Sequence, residues 1–388
     1  MKAILILVAG ASLLLTTGCW SSLEIQTIHY VTAIGADYKD GEYVLYAQML
    51  DFSDAAKSEG QAKTKQPTSY VGKAAGKSLW DAANKLQAAS QQALFWEQVS
   101  TIVVTDNVLK ADKHLEFLEF TNRYKEIRYN TWIFSTKENI EDIFKAQTFF
   151  KFSPLYTLLH EPKDQYRQSS SISPVRLYQF IRSLKDKARS SYLPSLTLNA
   201  AFWREDGKNM KLLEIDGADL FQTKRWNGWI SRTDLTGWQW VNPKTQSYPV
   251  ALLSDDDISA VMLFKKPRIH IRPQAKWDKA YFDMTITLDA HLVELREAMT
   301  ENELMERYTK LLEGQILHVF REGIRIHTDV LNLGDTLYRS NPRVWQQMAD
   351  DHSFVLHNDA IRHLKINIHF NDTGEYKFVP QKQKDEDK

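Results

Sequence analysis

The chain has 388 residues, 43% of them apolar and 25% charged, with 15 Gly and 11 Pro. This is the composition of an ordinary globular protein long enough for two or three domains, and it excludes a disordered, collagenous or coiled-coil chain. Lys plus Arg and Asp plus Glu are equal at 49 each, which disfavours a general nucleic-acid binder, and the single cysteine, Cys19, excludes an intramolecular disulfide or a four-thiolate metal site.

After Met1 and Lys2 the chain carries no charge from Ala3 to Leu15 and closes on Thr16-Thr17-Gly18-Cys19. That run falls short of the roughly 20 residues that span a bilayer as a helix, so residues 1–18 read as an export signal and not as a transmembrane helix. Leu15-Thr16-Thr17-Gly18-Cys19 is similar to the lipobox at which bacterial signal peptidases cut after a diacylglycerol joins the thiol, with Thr16 standing where Leu is usual. Cys19 is therefore expected to be lipidated and to begin the mature chain. Cleavage takes one residue, Lys2, from the 49 basic side chains and leaves 48 against 49 acidic ones. Two acyl chains, at about 0.8 kcal/mol per buried methylene, suffice to hold such a neutral body at the membrane.

Thr27–Asp37 and Glu42–Leu50 are β-rich runs around Asp40-Gly41 and predict a hairpin. At most seven residues separate Cys19 from that first strand, a reach of roughly 25 Å, so the domain it opens must sit at the membrane surface. The polar stretch Asp54–Thr68 reads as an exposed mobile loop. Leu79, Ala82, Ala83, Leu86, Ala89 and Ala93 recur at helical spacing, and Ser100–Thr105 is a short buried strand. Val108–Tyr124 is helical in pattern, Ile127–Phe134 reads as a strand, and Ile140, Ile143 and Phe144 mark a further helix. The alternation predicts a mixed α/β N-terminal domain over residues 19–168.

The Ser-rich stretch Ser169–Ser173 reads as a linker, and Ser173-Pro174 as a helix start, with Val175, Tyr178, Ile181 and Leu184 as the apolar stripe. Ser195–Trp203 and Met210–Phe221 look like paired strands, giving a small α+β middle module over residues 169–245. In the last third Phe282, Met284, Ile286, Leu288, Ala290 and Leu292 alternate with polar residues, and Leu364, Ile366, Ile368 and Phe370 do the same, as antiparallel-type strands with one buried face. Thr300 and Glu303 form a capping box for a long helix that covers that face, and Asn341-Pro342 starts a shorter one. This C-terminal unit spans residues 246–380, and residues 381–388 read as a disordered tail. The expected fold class is α+β and multi-domain, with largely antiparallel sheets packed against helices.

No constellation carries an evident reaction. Gly72-Lys-Ala-Ala-Gly76-Lys77-Ser78 approaches a phosphate loop, but three residues separate the glycines where four are needed, and an exposed helix start explains it better. His363 and His369 share one face of a strand but lie on its polar side, and Asp255-Asp256-Asp257 reads as a solvated turn. No catalytic residue, metal site or cofactor is expected. Trp226, Trp229, Trp238 and Trp240 place four indoles within fifteen residues, either as a packing plug, with Asn227-Gly228 as a turn between strands, or as a partner-binding surface.

Taken together, Gly18-Cys19-Trp20, Glu24-Ile25, Val31–Asp37, Leu94-Phe-Trp96 before Ile102–Thr105, Ile215–Phe221, Gly228-Trp229, and Asp329 with Gly334, Arg339, Pro342 and Trp345 resemble, in order and spacing, the Ger(x)C lipoproteins. These are the C subunits of nutrient germinant receptors of endospore-forming bacteria. The resemblance covers nearly the whole chain; Glu97 and Gln98 stand where Gly and His are frequent. It implies a non-enzymatic subunit, lipid-anchored at the outer face of the spore inner membrane, that assembles with two integral-membrane subunits in receptor assembly and germination. Asp329, Arg339 and Trp345 are expected to form a buried hydrogen-bonded cluster or an interface anchor. The alternative from another class is a lipid-anchored solute-binding protein of a transporter, whose two lobes are usually built on parallel sheets; a cell-envelope hydrolase is the third.

Overall fold

The structure, a computed structural model, describes residues 29–50, 68–124, 126–169, 171–276, 279–349, 354 and 356–372. The export segment, Cys19, most of the expected loop Asp54–Thr68 and the tail 381–388 lie outside these residues. His29–Lys39 (β1) and Glu42–Leu50 (β2) form the expected hairpin, with Asp40 and Gly41 at φ of 51° and 76° in a turn that needs positive φ at both positions. Ser69–Gly76 (β3) pairs with β2, and Ser78 caps α1 (Leu79–Ala89) by accepting the Asp81 N–H at 3.2 Å. The run that approaches a phosphate loop is thus a strand end and a helix cap, with Lys77 paired to Glu42 at the surface.

Leu94–Phe95 (β4) pairs with β1, and Thr101–Thr105 (β5) is buried along its whole length at the sheet centre. The single helix expected over Val108–Tyr124 is divided into α2 (Asp106–Lys110) and α3 (His114–Arg123). Asp112 takes φ 55° and the Lys113 N–H bonds back to the Val108 carbonyl, closing the first helix. Trp132–Thr136 (β6) starts later than the expected Ile127 because the Thr131 N–H closes a turn on the Arg128 carbonyl. Then follow α4 (Ile140–Phe144), α5 (Pro162–Gln168), β7 (Val175–Arg176) and α6 (Leu177–Lys185). Ser173-Pro174 does not start that helix: Val175 and Arg176 first pair with β6, so α6 buries Leu177, Phe180 and Leu184 and leaves Tyr178 exposed.

The middle segment builds no sheet of its own beyond a two-residue hairpin, Arg204–Glu205 (β9) with Lys208–Asn209 (β10). Ser191–Asn199 (β8) pairs parallel with β6, while Leu212–Gln222 (β11) and Arg225–Ser231 (β12) follow antiparallel, giving the order β12-β11-β8-β6-β5-β1-β2-β3, with β4 on β1 and β7 on β6. The Ser-rich stretch is no free linker at its end, where Ile172 and Ser173 are buried and the Tyr192 hydroxyl bonds Ser173 at 2.6 Å. Nor is Asn227-Gly228 the turn between strands. That turn is Thr223-Lys224, at φ of 48° and 67°, and Asn227-Gly228 lies inside β12.

The second sheet runs Ser247–Ser254 (β13), Asp257–Lys276 (β14), Lys279–Leu295 (β15) and Ile361–Asp372 (β16), in that order. Asp255 and Asp256 make the β13–β14 turn, both at positive φ. Side chains of β15 alternate between buried and half-buried, as the sequence predicts. β16, however, pairs parallel with β15, the connection being the crossover through α7 (Glu301–Arg325), α8 (Leu333–Ser340) and α9 (Pro342–Met348). Thr300 caps α7 by accepting the Glu303 N–H, and Leu304, Tyr308, Leu312, Ile316 and Val319 bury against the sheet's Met284, Ile286, Leu288 and Ala290. At roughly 1.5–3 kcal/mol for each large side chain, this stripe is the main force holding α7 in place. The fold is α+β. One core lies under α1, α3 and α6, and the other continues from the opposite face of the first sheet into the second.

Candidate functional site

The four indoles do not form one surface: Trp238 and Trp240 belong to the core shared by the two sheets, and Trp226 packs against the other core. Trp240, fully buried, donates its Nε1–H to Gln315 Oε1 on α7 at 2.7 Å and packs edge-on against Phe264 and Tyr248. Gly237, in the same 3-10 turn (Thr236–Val241), sits so close to α7 that a Cβ there would overlap the Gln315 carbonyl. Trp238, also buried, meets the Tyr192 ring at 4.5 Å. Both therefore take part in packing within this chain, with Trp238 also reaching the wall of a surface cleft. Trp226 and Trp229, on the edge strand β12, remain half-buried.

Trp226 donates to Asp219 Oδ1 across the hairpin at 2.7 Å. Burial pushes the Asp219 carboxyl up to about 6 despite the donors Ser135 and Trp226. Trp229 lies over Gly217, where a Cβ would collide with the ring, and Lys137 Nζ sits 3.2 Å from a Trp229 ring centroid.

Asp329, Arg339 and Trp345 do not pair with one another. Asp329 is buried and accepts the Leu333 and Gly334 N–H groups at 3.0 and 2.6 Å, capping α8, and burial raises it to about 6. Arg339 instead bonds Asp335 at 2.9 Å, one turn earlier in α8, and Trp345 packs buried against Tyr338. Asp329 and Trp345 therefore serve capping and packing within this chain, while the exposed Arg339 pairs along α8.

Sequence reasoning missed a second buried constellation. His160 Nδ1 accepts from Ser100 Oγ at 2.6 Å, and its Nε2 donates to Gln48 Oε1 at 3.1 Å. Gln48 in turn donates to the Phe144 carbonyl at 2.7 Å, and Thr32 donates to Gln48 Oε1 at 3.1 Å. Burial holds the imidazole neutral, down to about 3. The pairing has the form of a nucleophile and its base, but the imidazole faces an amide inside the core, so it pins the segment around Leu159 to β1, β2 and β5. The histidines singled out in the sequence lie elsewhere: His363 bonds Asp283 at 2.7 Å on the exposed face of the second sheet, and among the described residues no group of three metal-ligating side chains converges.

Two adjoining concavities lie at one end of the first sheet, and a separate cleft of about 560 Å³, which includes Arg189, Tyr192, Trp238 and Asp335, lies between α6 and α8. A groove of about 600 Å³ between α3 and α6 is lined by Leu115, Leu118, Tyr129, Tyr178 and Ile181 with Arg182 at its rim. It shares Leu184, Lys185 and Lys224 with a basin of about 480 Å³ that adds Lys187, Arg225 and His327. Among the described residues Lys185, Lys187, Lys224 and Arg225 make no ion pair, because the only acid lining the basin, Asp186, turns its Oδ1 to the Ala188 N–H at 3.1 Å. The groove is thus apolar with a basic rim, and the basin beside it is basic.

Comparison with known proteins gives one family. The family models for the spore germination protein N-terminal domain and for the spore germination B3/GerAC-like C-terminal domain match residues 21–198 and 216–373. The chain is 20% identical over 374 residues to spore germination protein KC of Bacillus subtilis (strain 168), covering 90% of each chain. It is 24% identical over 217 residues to the putative spore germination protein YfkR of the same strain, covering 55% of this chain and 54% of that one. The crystal structure of the GerBC protein is similar at a TM-score of 0.52 and 16% identity, over 87% of this chain and 96% of that one, which shows a shared fold.

Proposed function

Because this chain belongs to the Ger(x)C family of spore germination proteins, we propose that it is the lipid-anchored, non-enzymatic C subunit of a nutrient germinant receptor. Cys19 carries the lipid at the outer face of the spore inner membrane, and the folded body assembles with two integral-membrane subunits and takes part in triggering germination, without metal or cofactor. The observation that carries this reading is that both family domains lie end to end on the chain and account for nearly all of its folded body. Two further observations are in keeping with it: no described helix is long and apolar enough to cross a membrane, and one end of the first sheet carries an apolar groove beside a basic basin. With Trp238 and Trp240 in the core, Trp226 and Trp229 on the edge strand are the indoles left for partner contact.

Spores lacking this chain test the reading. They should lose the response to at least one nutrient while still germinating on a trigger that bypasses receptors. An unchanged response to every nutrient that the parent strain answers would contradict it.

A further inference from the structure

The register of the first sheet fixes which of its ends holds the groove and basin. Ala36, Val104, Ser135 and Ser195 stand level across β1, β5, β6 and β8, all parallel. Ser191, which opens β8, pairs with Phe221 near the end of β11, so the Thr223-Lys224 turn projects from the end at which β1 begins, at His29. Tyr129 lies three residues before β6 begins at Trp132, and the Tyr178 N–H bonds the Tyr129 carbonyl at 3.1 Å, so both residues belong to the same end. Four strand spacings separate β1 from β11, about 19 Å. From Cys19 to His29 the chain can reach about 35 Å. An anchor at Cys19 therefore lets this end lie on the bilayer.

Its chemistry fits that neighbour. Tyr129 and Tyr178 are 47% and 49% exposed, amphipathic rings of the kind enriched at headgroup depth. Beside them Arg182, Lys185, Lys187, Lys224 and Arg225 face two acids, Asp186 and Glu119, and Glu119 is engaged by Arg123 at 2.6 Å. The basin has a fixed floor: Asn227 bonds the Ile326 and His327 carbonyls at 3.1 and 2.9 Å, and the buried Gln222 leaves its amide Nε2 without an acceptor among the described residues. The four unpaired, exposed cations suit the phosphodiester oxygens of an anionic lipid headgroup.

We propose that this end of the first sheet is a membrane-facing surface that lies on anionic phospholipid, with Lys185, Lys187, Lys224 and Arg225 at the headgroups and Tyr129 and Tyr178 at the interface, so that the anchored body has one fixed orientation. The proposal rests on the lipid-anchored reading above. The test uses the full lipidated chain, whose only native cysteine is Cys19. Thr223→Cys at the basin and Asp40→Cys at the opposite end of the sheet are each labelled with a polarity-sensitive dye and reconstituted into phosphatidylcholine vesicles with or without phosphatidylglycerol.

The expected result is a blue shift and quenching by bilayer-embedded brominated lipid at position 223 only, several-fold larger when phosphatidylglycerol is present. Lys187→Glu and Arg225→Glu should each weaken it by about fivefold or more, as expected for about 1 kcal/mol per cation near a charged bilayer. Equal responses at positions 223 and 40, or a response at 223 that ignores lipid charge, would overturn the orientation while vesicle co-sedimentation leaves the anchor intact. Protection at 223 that needs co-reconstituted membrane subunits and not anionic lipid would assign the face to a protein partner and overturn it as well. Loss of co-sedimentation in Cys19→Ala supports the anchor separately; a parent chain that never sediments with vesicles would overturn the anchored reading itself.

Discussion

Trp240 Nε1 donates to Gln315 Oε1 at 2.7 Å, joining the turn that leaves the first sheet to the long helix that covers the second. The indole is fully buried, and Gly237 brings its backbone against the same residue of α7. Through this contact the two sheets share a core.

Trp240→Ala should therefore act as a core truncation, lowering stability by about 3–5 kcal/mol. Gly237→Ala should also be costly despite its small size, since the added methyl meets backbone. Thermal melts of the full chain check both. By contrast Trp226→Phe, which keeps most of the ring and removes one of the two donors to Asp219, should cost about 1–3 kcal/mol for the buried carboxyl left with Ser135 alone.

Asp219 sets a pH dependence of definite sign. Its folded pKa of about 6 lies above the ordinary carboxylate value, so the native state holds the proton more tightly than the unfolded chain. The stabilisation this gives is full below about pH 4 and is lost as pH rises through 6. Asp329, raised to about 6 as well, acts in the same direction. Asp219→Asn should flatten the fall in melting temperature between pH 4 and 6.5 relative to the parent, and an identical pH profile in the two proteins would contradict the assignment.

His160 works in the opposite direction. Held neutral with a pKa of about 3, it contributes stability above its unfolded value near 6.5 that is lost as pH falls. His160→Ala should lower stability at pH 7.5 by about 2–4 kcal/mol, because Ser100 and Gln48 lose a buried partner. It should also weaken the acid-side decline seen in melts from pH 6.5 to 4.

Much of this fold was legible in local pattern. The alternation from Phe282 to Leu292, the Asp40-Gly41 turn and the Thr300 cap each follow from what a single strand, turn or helix needs of its own residues. Strand direction was not legible, since Leu364–Phe370 alternates identically whether β16 runs parallel or antiparallel to β15; only the crossover decides. The Thr223-Lys224 turn carries no Gly or Asn, so Asn227-Gly228 looked like the better turn. Ser169–Ser173 has linker composition, yet its last residue is buried by Tyr192, a contact made across nineteen positions of chain. The basin was invisible for a similar reason: its cations come from the end of α6 and just beyond it, and from Lys224 and Arg225 where β12 begins, far apart in sequence, and the chain as a whole is neutral.

Lipidation at Cys19 is checked by intact-mass measurement of the N-terminal peptide from spore membranes, which should carry a diacylglyceryl thioether on Cys19. Cys19→Ala should release the protein from the membrane fraction. A free thiol on membrane-bound protein would contradict the anchor.

The account's central claim is that this chain acts as one subunit of a membrane receptor, and affinity purification of the full chain from spore membranes in mild detergent, with quantitative mass spectrometry, tests it most directly. It predicts two integral-membrane receptor subunits recovered in amounts comparable to the chain itself. Recovery of the chain alone, or together with a transporter permease and its ATPase, would contradict it.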